Sequence, residues 1–228
     1  MTIKFNQSAG MSSKGFDLLA PWYDLLLTIP PGKHIKGSQY FFIDQLPFCE
    51  KVLIIGEGTG SFLKEILLKK KTKRIWVVEN SKAMVRAAEK KIKRLPESEK
   101  AKVRFITTPF QEFHTEEKFD LIVTNFFLDL FAEPTVRSMG VKIREMLRPQ
   151  GSWYFTDFVP LVSSDEYGWF KKTYIQILYC FFSVVTGIEG KQLPDFEKIF
   201  MELKMEETAS KFFAKKLIKT ILMKPKPI

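Results

Sequence analysis

Three glycines at alternate positions are the residues of this chain best suited to binding chemistry. Gly56, Gly58 and Gly60 follow a run of four apolar residues, Val52–Ile55, that is typical of a buried strand. Residues 61–68, directly after the glycines, have apolar residues at helical spacing. A strand that turns through glycines into a helix brings backbone N–H groups and a helix N-terminus close to a ligand. The pattern predicts the binding site of a nucleotide-type cofactor.

An acidic residue supports this interpretation. Glu79 ends the next apolar segment, about 20 residues after the glycines, where a carboxylate can accept hydrogen bonds from both hydroxyls of a ribose. The dinucleotide-binding fingerprint places its third glycine three residues after the second, but here that position is Ser61 and the glycine is Gly60. The spacing therefore favours a ligand without a pyrophosphate, whose amino-acid end lies over the glycine turn.

The remaining sequence predicts the elements that position these residues. Apolar strand-like and helical segments alternate between positions 51 and 158, which indicates a doubly wound α/β sheet. Ser81 is a good N-cap for the helix after Glu79, and Arg148–Gly151 is a predicted turn. The predicted strands are 51–55, 74–79, 103–106, 119–125, 153–158, 205–212 and 215–223, and the predicted helices are 35–46, 60–70, 81–94, 134–147 and 194–203.

Composition and charge exclude several classes of protein. The 228 residues, 45% of them hydrophobic, suit one domain with a sizeable core. Two cysteines and two histidines are too scattered for a disulfide framework or a metal site. The first residues lack the apolar region of a signal peptide, so a cytoplasmic protein is expected. The net charge of +10 comes largely from lysine clusters at predicted helix ends, where they offset the helix dipole, so nucleic acid is not the expected partner.

Five landmarks in the same order along residues 50–158 resemble the class I S-adenosylmethionine-dependent methyltransferases. The glycine turn is similar to motif I of that family, and Glu79 to the motif II acid. The segment Phe16–Asp24 resembles the N-terminal segment of the quinone-biosynthesis type. Two positions depart from the family pattern, because Ile54 and Pro109 stand where the family usually has acids. The four landmarks after the glycine turn are Glu79–Met84, which includes the motif II acid, the loop 105–113, motif IV at 119–128 and the turn 147–152.

The resemblance implies a fold, a cofactor and a set of site residues. The implied fold is a Rossmann-like, seven-stranded, mostly parallel sheet with an antiparallel C-terminal strand and helices on both faces. The implied cofactor is S-adenosyl-L-methionine, with S-adenosyl-L-homocysteine as product and no metal. A helix N-cap is the favoured interpretation of Asp129, which is also a candidate to orient the substrate or act as a base. The expected cofactor-binding residues are Tyr23, Gly56, Glu57, Gly58, Thr59, Gly60, Glu79, Asn80, Met84, Pro109, Phe110, Gln111, Asn125 and Phe126.

A single methyltransferase domain over residues 1–228 is expected to act on a small molecule. The apolar run 174–186 is too short and too flanked by charge to cross a membrane, and predicts a buried helix. The alternatives are a dimer contact or one wall of a hydrophobic pocket, which would suit a lipophilic or aromatic acceptor. Peripheral membrane contact, and the choice between monomer and homodimer, stay open. So do three other functions: an NAD(P)-dependent oxidoreductase, an RNA- or protein-directed methyltransferase, and a cofactor-binding protein without turnover. The expected parts are an N-terminal helical cap (1–48), a cofactor-binding core (50–158), a substrate-side helical insertion (160–203) and a terminal strand pair (204–224).

Overall fold

The computed structural model describes Asp17 and residues 32–69, 72–159 and 193–226. Several predictions therefore lie wholly or mostly outside the described residues. They are Tyr23 as a cofactor contact, the N-terminal cap before residue 32 with the segment 16–24 apart from Asp17, and the helical insertion over 160–192 with its apolar run 174–186. No helix in the described part of the chain is long and apolar enough to cross a membrane.

The centre of the structure is one seven-stranded sheet. In spatial order its strands are β3-β2-β1-β4-β5-β7-β6, with β1 to β5 parallel and β7 inserted antiparallel between β5 and β6. The order reverses between β1 and β4, which is where ligands bind in such sheets. The sheet confirms the predicted fold class. The strands are β1 (Lys51–Ile55), β2 (Arg74–Glu79), β3 (Val103–Thr107), β4 (Phe119–Asn125), β5 (Leu147–Phe158), β6 (Met205–Phe213) and β7 (Ile218–Pro225).

The helices lie close to their predicted positions, with one clear exception. The helix predicted over 35–46 ends at Tyr40, and a short 3-10 helix follows at Ile43–Gln45. Pro47 disfavours a helical conformation at Leu46, whose ψ of 141° is extended. The helices are α1 (Gly32–Tyr40), α2 (Ser61–Lys69), α3 (Lys82–Ile92), α4 (Glu97–Lys100), α5 (Glu133–Met146) and α6 (Phe196–Glu202).

Two apolar clusters, one on each face of the sheet, form most of the core. Alternate residues of β1 point to opposite faces, so Leu53 joins the cluster under α5 and α6, while Ile54 joins the one under α2. Both faces of β1 are thus covered, which explains its unbroken apolar run. Ile54, where the family usually has an acid, is 1% exposed and is part of this core.

Strand β5 differs from its prediction at its start. Arg148–Gly151 was expected to be a turn before a strand beginning at Trp153, but β5 already begins at Leu147. Phe119 pairs with Leu147 and the next pair joins Leu121 to Ser152, so the residues between them form a bulge in β5. The antiparallel end also differs, since β7 begins at Ile218 rather than at 215.

Candidate functional site

The glycine turn connects β1 to α2 at the point where the strand order reverses. Gly56, Gly58 and Gly60 all have positive φ angles, of 66°, 65° and 85°, which residues with a Cβ adopt at a cost. The Gly56 N–H donates to the Val78 carbonyl at 2.9 Å, which ties the turn to β2. A Cβ on Gly56 would lie 2.3 Å from Cδ2 of the Phe127 ring. The turn therefore depends on glycine for its conformation and for its packing.

Gly60 allows the turn to pack closely on α3. A Cβ there would lie 2.6 Å from the Ala88 Cα, which belongs to the helix backbone. The sequence predicts that all three glycines let the backbone approach a ligand. For Gly60, the structure instead shows close packing of the turn against Ala88 of α3. Glu79 comes shortly before the start of the same helix.

Glu79 joins the glycine turn to the start of α3. Its Oε2 accepts a hydrogen bond from the Gly58 N–H at 3.1 Å, and its Oε1 accepts one from the Ser81 N–H at 3.0 Å. Burial raises the pKa of Glu79, while the N–H groups of Ser81, Gly58 and Asn80 favour the charged form. The structure thus places Glu79 against the glycine turn, while Asn80 donates its N–H to Glu79; the role of both as cofactor ligands stays a prediction.

The N-terminus of α3 is capped twice. The Ser81 Oγ accepts from the Met84 N–H at 3.1 Å, which confirms the predicted N-cap. Asp17, far away in sequence, accepts from the Ser81 hydroxyl at 2.5 Å and from the Ala83 N–H at 3.0 Å. These bonds, with that of Ser81 the strongest, lower the pKa of Asp17. Met84 is 2% exposed, so its side chain is buried under the helix.

A pocket opens between the glycine turn and the end of β4. Asn125 ends β4 in this pocket, and both polar atoms of its amide are buried without a hydrogen-bond partner among the described residues. Leaving buried polar atoms unpaired costs free energy. The oxygen and nitrogen of the Asn125 amide therefore favour a ligand that both donates and accepts hydrogen bonds at this point. An amino acid end of a cofactor meets that requirement. The lining residues are Gln39, Ile54, Ile55, Gly56, Glu57, Thr59, Ser61, Phe62 and Asn125.

Glu57 stabilises the start of α2 from inside this pocket. Its Oε1 accepts a hydrogen bond from the Leu63 N–H at 2.9 Å, which satisfies one of the unpaired donors of the first helical turn. Burial of the carboxyl group raises the pKa of Glu57 to about 8, opposed by the Leu63 N–H and by the nearby charge of Lys91. Glu57 therefore holds a proton at neutral pH in the chain alone.

Lys91 reaches from α3 to the glycine turn. Its Nζ donates to the Thr59 Oγ1 at 2.9 Å and to the Ser61 Oγ at 2.8 Å. Thr59 is 3% exposed, so this contact lies inside the turn rather than on its surface. The sequence favours the interpretation that lysines near this helix end only offset the dipole. For Lys91 that interpretation is incomplete, because its ammonium also links α3 to the turn.

The loop after β3 forms a short 3-10 helix, Phe110–Glu112, that begins after Pro109. Phe110 is 3% exposed and its ring packs on Phe113 and Phe127 in the core. Gln111 is exposed, and its carbonyl accepts from the Lys142 ammonium at 3.0 Å. Of these three predicted cofactor contacts, Phe110 packs against other core residues, and none is among the described residues that line the pocket beside Asn125.

The chain turns sharply where β4 ends. Phe126 has a φ of 50°, an unfavourable conformation for a bulky residue, and its N–H donates to the Thr156 carbonyl at 2.7 Å. Its ring packs on Phe158 with centroids 5.0 Å apart. The strained turn aims the Phe126 side chain at the end of β5, next to Asn125, so the two predicted residues lie at one edge of the sheet.

Asp129 forms a buried pair with Asp157 at the end of β5. The two residues are 4% and 0% exposed, and their carboxyl groups interact with each other. Two neighbouring buried carboxyl groups do not readily ionise together, so the pair shares a proton. Desolvation raises the pKa of Asp129 to about 7 and raises that of Asp157 well above its ordinary value. Asp157 also accepts from the N–H groups of Leu128 and Asp129, at 3.2 and 3.3 Å, and so fixes the loop after β4.

The alternative interpretation of Asp129 as a helix N-cap is wrong. Helix α5 begins at Glu133 after Ala132, which makes no side-chain cap, and Asp129 belongs to the 3-10 helix Leu128–Leu130. The burial and pairing of Asp129 favour a role in holding this loop. Its candidacy as a base stays a prediction.

Asp129→Asn is expected to remove part of the pH dependence of stability. Below about pH 4 the aspartates are protonated in both states, whereas towards pH 7 the folded chain keeps a proton that the unfolded chain has lost. The shared proton therefore makes the free energy of unfolding fall across this window, by on the order of 3 kcal/mol. Urea unfolding at pH 5 and pH 8 measures the fall, which the amide should reduce. An unchanged fall in Asp129→Asn would contradict the shared proton.

Comparison with known proteins identifies the core of the chain. Residues 52–151 match the family model of the methyltransferase domain. This part of the chain is similar to methyltransferase domains. The match covers the glycine turn, β2, β4 and the start of β5, so it confirms the resemblance to the class I enzymes that these segments predict. Binding of S-adenosylmethionine or S-adenosylhomocysteine is implied by this domain. No protein of curated function matches the chain in sequence.

Solved structures agree with the methyltransferase domain in fold. The N-methyltransferase NodS from Bradyrhizobium japonicum, in complex with S-adenosyl-l-homocysteine, has a TM-score of 0.65 and 17% identity over 94% of this chain and 100% of its own. The mitomycin 7-O-methyltransferase MmcR has a TM-score of 0.65 and 11% identity over 92% of this chain and 60% of its own.

An O-methyltransferase family 2 protein from Planctomyces limnophilus, in complex with apigenin, has a TM-score of 0.67 and 14% identity over 96% of this chain and 63% of its own. The chain thus spans less than two thirds of the length of these two O-methyltransferases. At such identities the likeness concerns the fold alone.

Several residues of the methyltransferase domain's site are not evident from sequence. Lys91 and Asp157 are polar residues on regular elements with no motif around them, and Gln39 lies in a helix before the first strand. Ser61 did carry a signal, since it follows the last glycine of the turn, but its contact with Lys91 depends on how α3 packs.

Proposed function

We propose that this chain transfers a methyl group from S-adenosylmethionine to a small, lipophilic or aromatic acceptor. The observation that carries the proposal is the pocket between the glycine turn and β4, in which the Asn125 amide has two unpaired buried atoms. The Glu79 carboxylate, bonded to the Gly58 N–H, lies on the other side of the same turn. An amino-acid end and a ribose joined in one cofactor suit these two positions.

The roles of the site residues follow from their positions. The glycine turn takes the amino-acid end, with Glu57 and Thr59 along it, and Asn125 offers its amide there. Glu79 accepts hydrogen bonds from the ribose hydroxyls. Met84, Pro109, Phe110, Gln111 and Phe126 stay proposed contacts of the adenosine and sulfonium parts, and Tyr23 of the amino-acid end.

The chemistry asks little of the protein beyond positioning. When bound, S-adenosylmethionine supplies a methyl group on a sulfonium, ready for in-line transfer. The protein holds the acceptor at the right distance and excludes water, which together account for large accelerations. A base is needed only where the acceptor must lose a proton. Asp129 stays a candidate for that role, although its pairing with Asp157 keeps it away from solvent.

An apolar cluster beside the pocket supports a lipophilic acceptor. Phe158 and Ile218, at the end of β5 and the start of β7, are buried together with Ile35 of α1, and Phe126 packs against them. Gln39, on the same helix as Ile35, lines the pocket. Of the two O-methyltransferases of similar fold, one is a mitomycin 7-O-methyltransferase and the other was solved in complex with apigenin, so both are associated with small molecules. We propose that residues 1–228 form one domain in which 160–203 supplies the acceptor side.

Titration calorimetry tests this function. We expect S-adenosylhomocysteine to bind with one site per chain and NADH not to bind, because the glycine spacing omits the pyrophosphate position. Chains that bind the cofactor are then incubated with phenols and amines, and S-adenosylhomocysteine formation is measured. Failure to bind S-adenosylhomocysteine would overturn the proposal. Binding without turnover on any acceptor would favour a cofactor-binding protein that lacks activity.

A macromolecular acceptor is the second candidate, because α3 carries a row of exposed cations. Lys82, Arg86 and Lys90 are one helical turn apart, and Lys82 is next to the Ser81 cap beside Glu79. A row of one charge sign attracts anionic polymers. Binding of a single-stranded RNA that weakens steeply with salt, and is lost on changing these residues to glutamine, would support this candidate.

A further inference from the structure

Among the described residues that line the pocket, Glu57 is the only one with an ionisable side chain. The rest of this described lining consists of backbone, hydroxyl, amide and apolar groups, and Ile54, two residues before the first glycine, is buried in the core. Within the described lining, Glu57 is thus the side chain that can balance a positive charge on a ligand. Uncompensated charges in buried sites are strongly disfavoured.

The surroundings of Glu57 favour the neutral carboxylic acid when no positively charged ligand is bound. Two charged groups face it, Lys91 of α3, which favours ionisation, and Glu79 of β2, which opposes it. The facing side chains of α1 and β4 in the pocket, Gln39 and Asn125, are uncharged. Burial outweighs the attraction of Lys91 and raises the pKa of Glu57 to about 8. At pH 7 the chain alone therefore holds a proton on Glu57.

We propose that Glu57 binds the ammonium group at the amino-acid end of the cofactor, and that the chain releases one proton to solvent when it does so. The O–H bond of the Glu57 carboxylic acid breaks, the proton passes to the buffer, and the carboxylate that remains pairs with the ammonium. No covalent bond forms. This inference rests on the proposed function, because it takes S-adenosylmethionine or its product as the ligand.

The position of Glu57 allows it to do this without losing its structural bond. Its Oε1 accepts from the Leu63 N–H at 2.9 Å, and the Phe62 N–H is a further donor to the carboxyl group. Each carboxylate oxygen has two lone pairs, so the group can still accept from an ammonium. Ionisation also strengthens the existing bond, because a carboxylate accepts hydrogen bonds better than a neutral acid. The unpaired amide of Asn125 lines the same pocket and offers its oxygen as a further acceptor.

Titration calorimetry with S-adenosylhomocysteine in phosphate and in Tris measures the proton release, since the two buffers differ in ionisation enthalpy. We expect release of roughly one proton at pH 7, and an affinity that rises by up to about tenfold between pH 6 and pH 7. Adenosine has the ribose and base but no ammonium, so its binding should release much less. Equal release with both ligands would assign the proton to Glu79 and overturn the inference.

Three variants locate the effect. Glu57→Gln keeps an oxygen for the Leu63 N–H, and should bind S-adenosylhomocysteine roughly tenfold more weakly at pH 8 with the proton release lost. Lys91→Met should move the rise in affinity to higher pH, because it removes the charge that favours ionisation of Glu57. Glu89→Gln, an exposed residue of α3, is the matched control and should behave as the wild type.

The outcomes separate this inference from the proposed function. If the wild-type chain does not bind S-adenosylhomocysteine, both fail. If it binds with the same affinity from pH 6 to pH 8 and without proton release, Glu57 is only a cap of α2 and the inference fails, while the proposed function stands. The same holds if Glu57→Gln retains the proton release, or if the rise in affinity of Lys91→Met stays at the wild-type pH.

Discussion

Glu79→Ala is expected to weaken binding of S-adenosylhomocysteine roughly 100-fold, because it removes the proposed acceptor of both ribose hydroxyls; a hydrogen bond to a charged group is worth about 1.5–3 kcal/mol, and 1.4 kcal/mol is tenfold in affinity. The carboxylate also binds the N–H groups of Gly58 and Ser81 at 3.1 and 3.0 Å, so the substitution leaves these two donors without their acceptor as well. Titration calorimetry at pH 7.5 measures the change.

A second substitution of Glu79 separates the effect of its charge from that of its shape, and a substitution of Glu89 is the control. Glu79→Gln keeps one accepting oxygen, so it should satisfy one of the two N–H groups and bind with intermediate affinity. Glu89→Ala, exposed on α3, should bind as the wild type does. If Glu79→Ala binds as tightly as the wild-type chain while adopting the same fold, Glu79 is not the ribose ligand.

Gly60→Ala is expected to lower the free energy of unfolding by roughly 2–5 kcal/mol, as a left-handed conformation and an overpacked contact both add to the cost. The φ angle of Gly60 is 85°, and its new Cβ would lie 2.6 Å from the Ala88 Cα. Because that atom is in the backbone of α3, no side-chain rotation relieves the contact. Urea unfolding measures the loss.

The matched control for this substitution is Gly37→Ala. Gly37 is inside α1, and a Cβ there would meet nothing within 4 Å. Because alanine is the better helix former, the free energy of unfolding should stay the same or rise, by about 0.5–1 kcal/mol. If Gly60→Ala were as stable as Gly37→Ala, the turn and α3 would not be packed as closely as the structure has them.

The sheet could be predicted from the sequence because each central strand is covered on both faces. Such strands read as short apolar runs, and β2 and β4 have the predicted bounds, Arg74–Glu79 and Phe119–Asn125. The capping of α3 by Ser81 was equally local, since a hydroxyl that accepts from an N–H three residues on needs no tertiary contact. Where local rules suffice, the prediction is confirmed.

The predictions failed where pairing partners decide the conformation. Arg148–Gly151 has the composition of a turn, yet its neighbours in sequence pair with Phe119 and Leu121 of β4, and the segment becomes a bulge within β5. Asp129 is of a residue type that often caps helices, but in the structure it is buried and interacts with Asp157 at the end of β5. Neither partner lies near in sequence.

The sequence by itself determined the α/β fold, the glycine turn with Glu79 behind it, and the resemblance to the methyltransferases. These depend on periodicity, spacing and motif order, which are properties of neighbours along the chain. Only the tertiary structure decided that Gly60 packs on Ala88, that Lys91 holds the turn through Thr59, and that the half-buried Glu57 accepts from the start of α2. Contacts between elements and the desolvation of a carboxyl group depend on how helices meet the sheet, which no local pattern specifies.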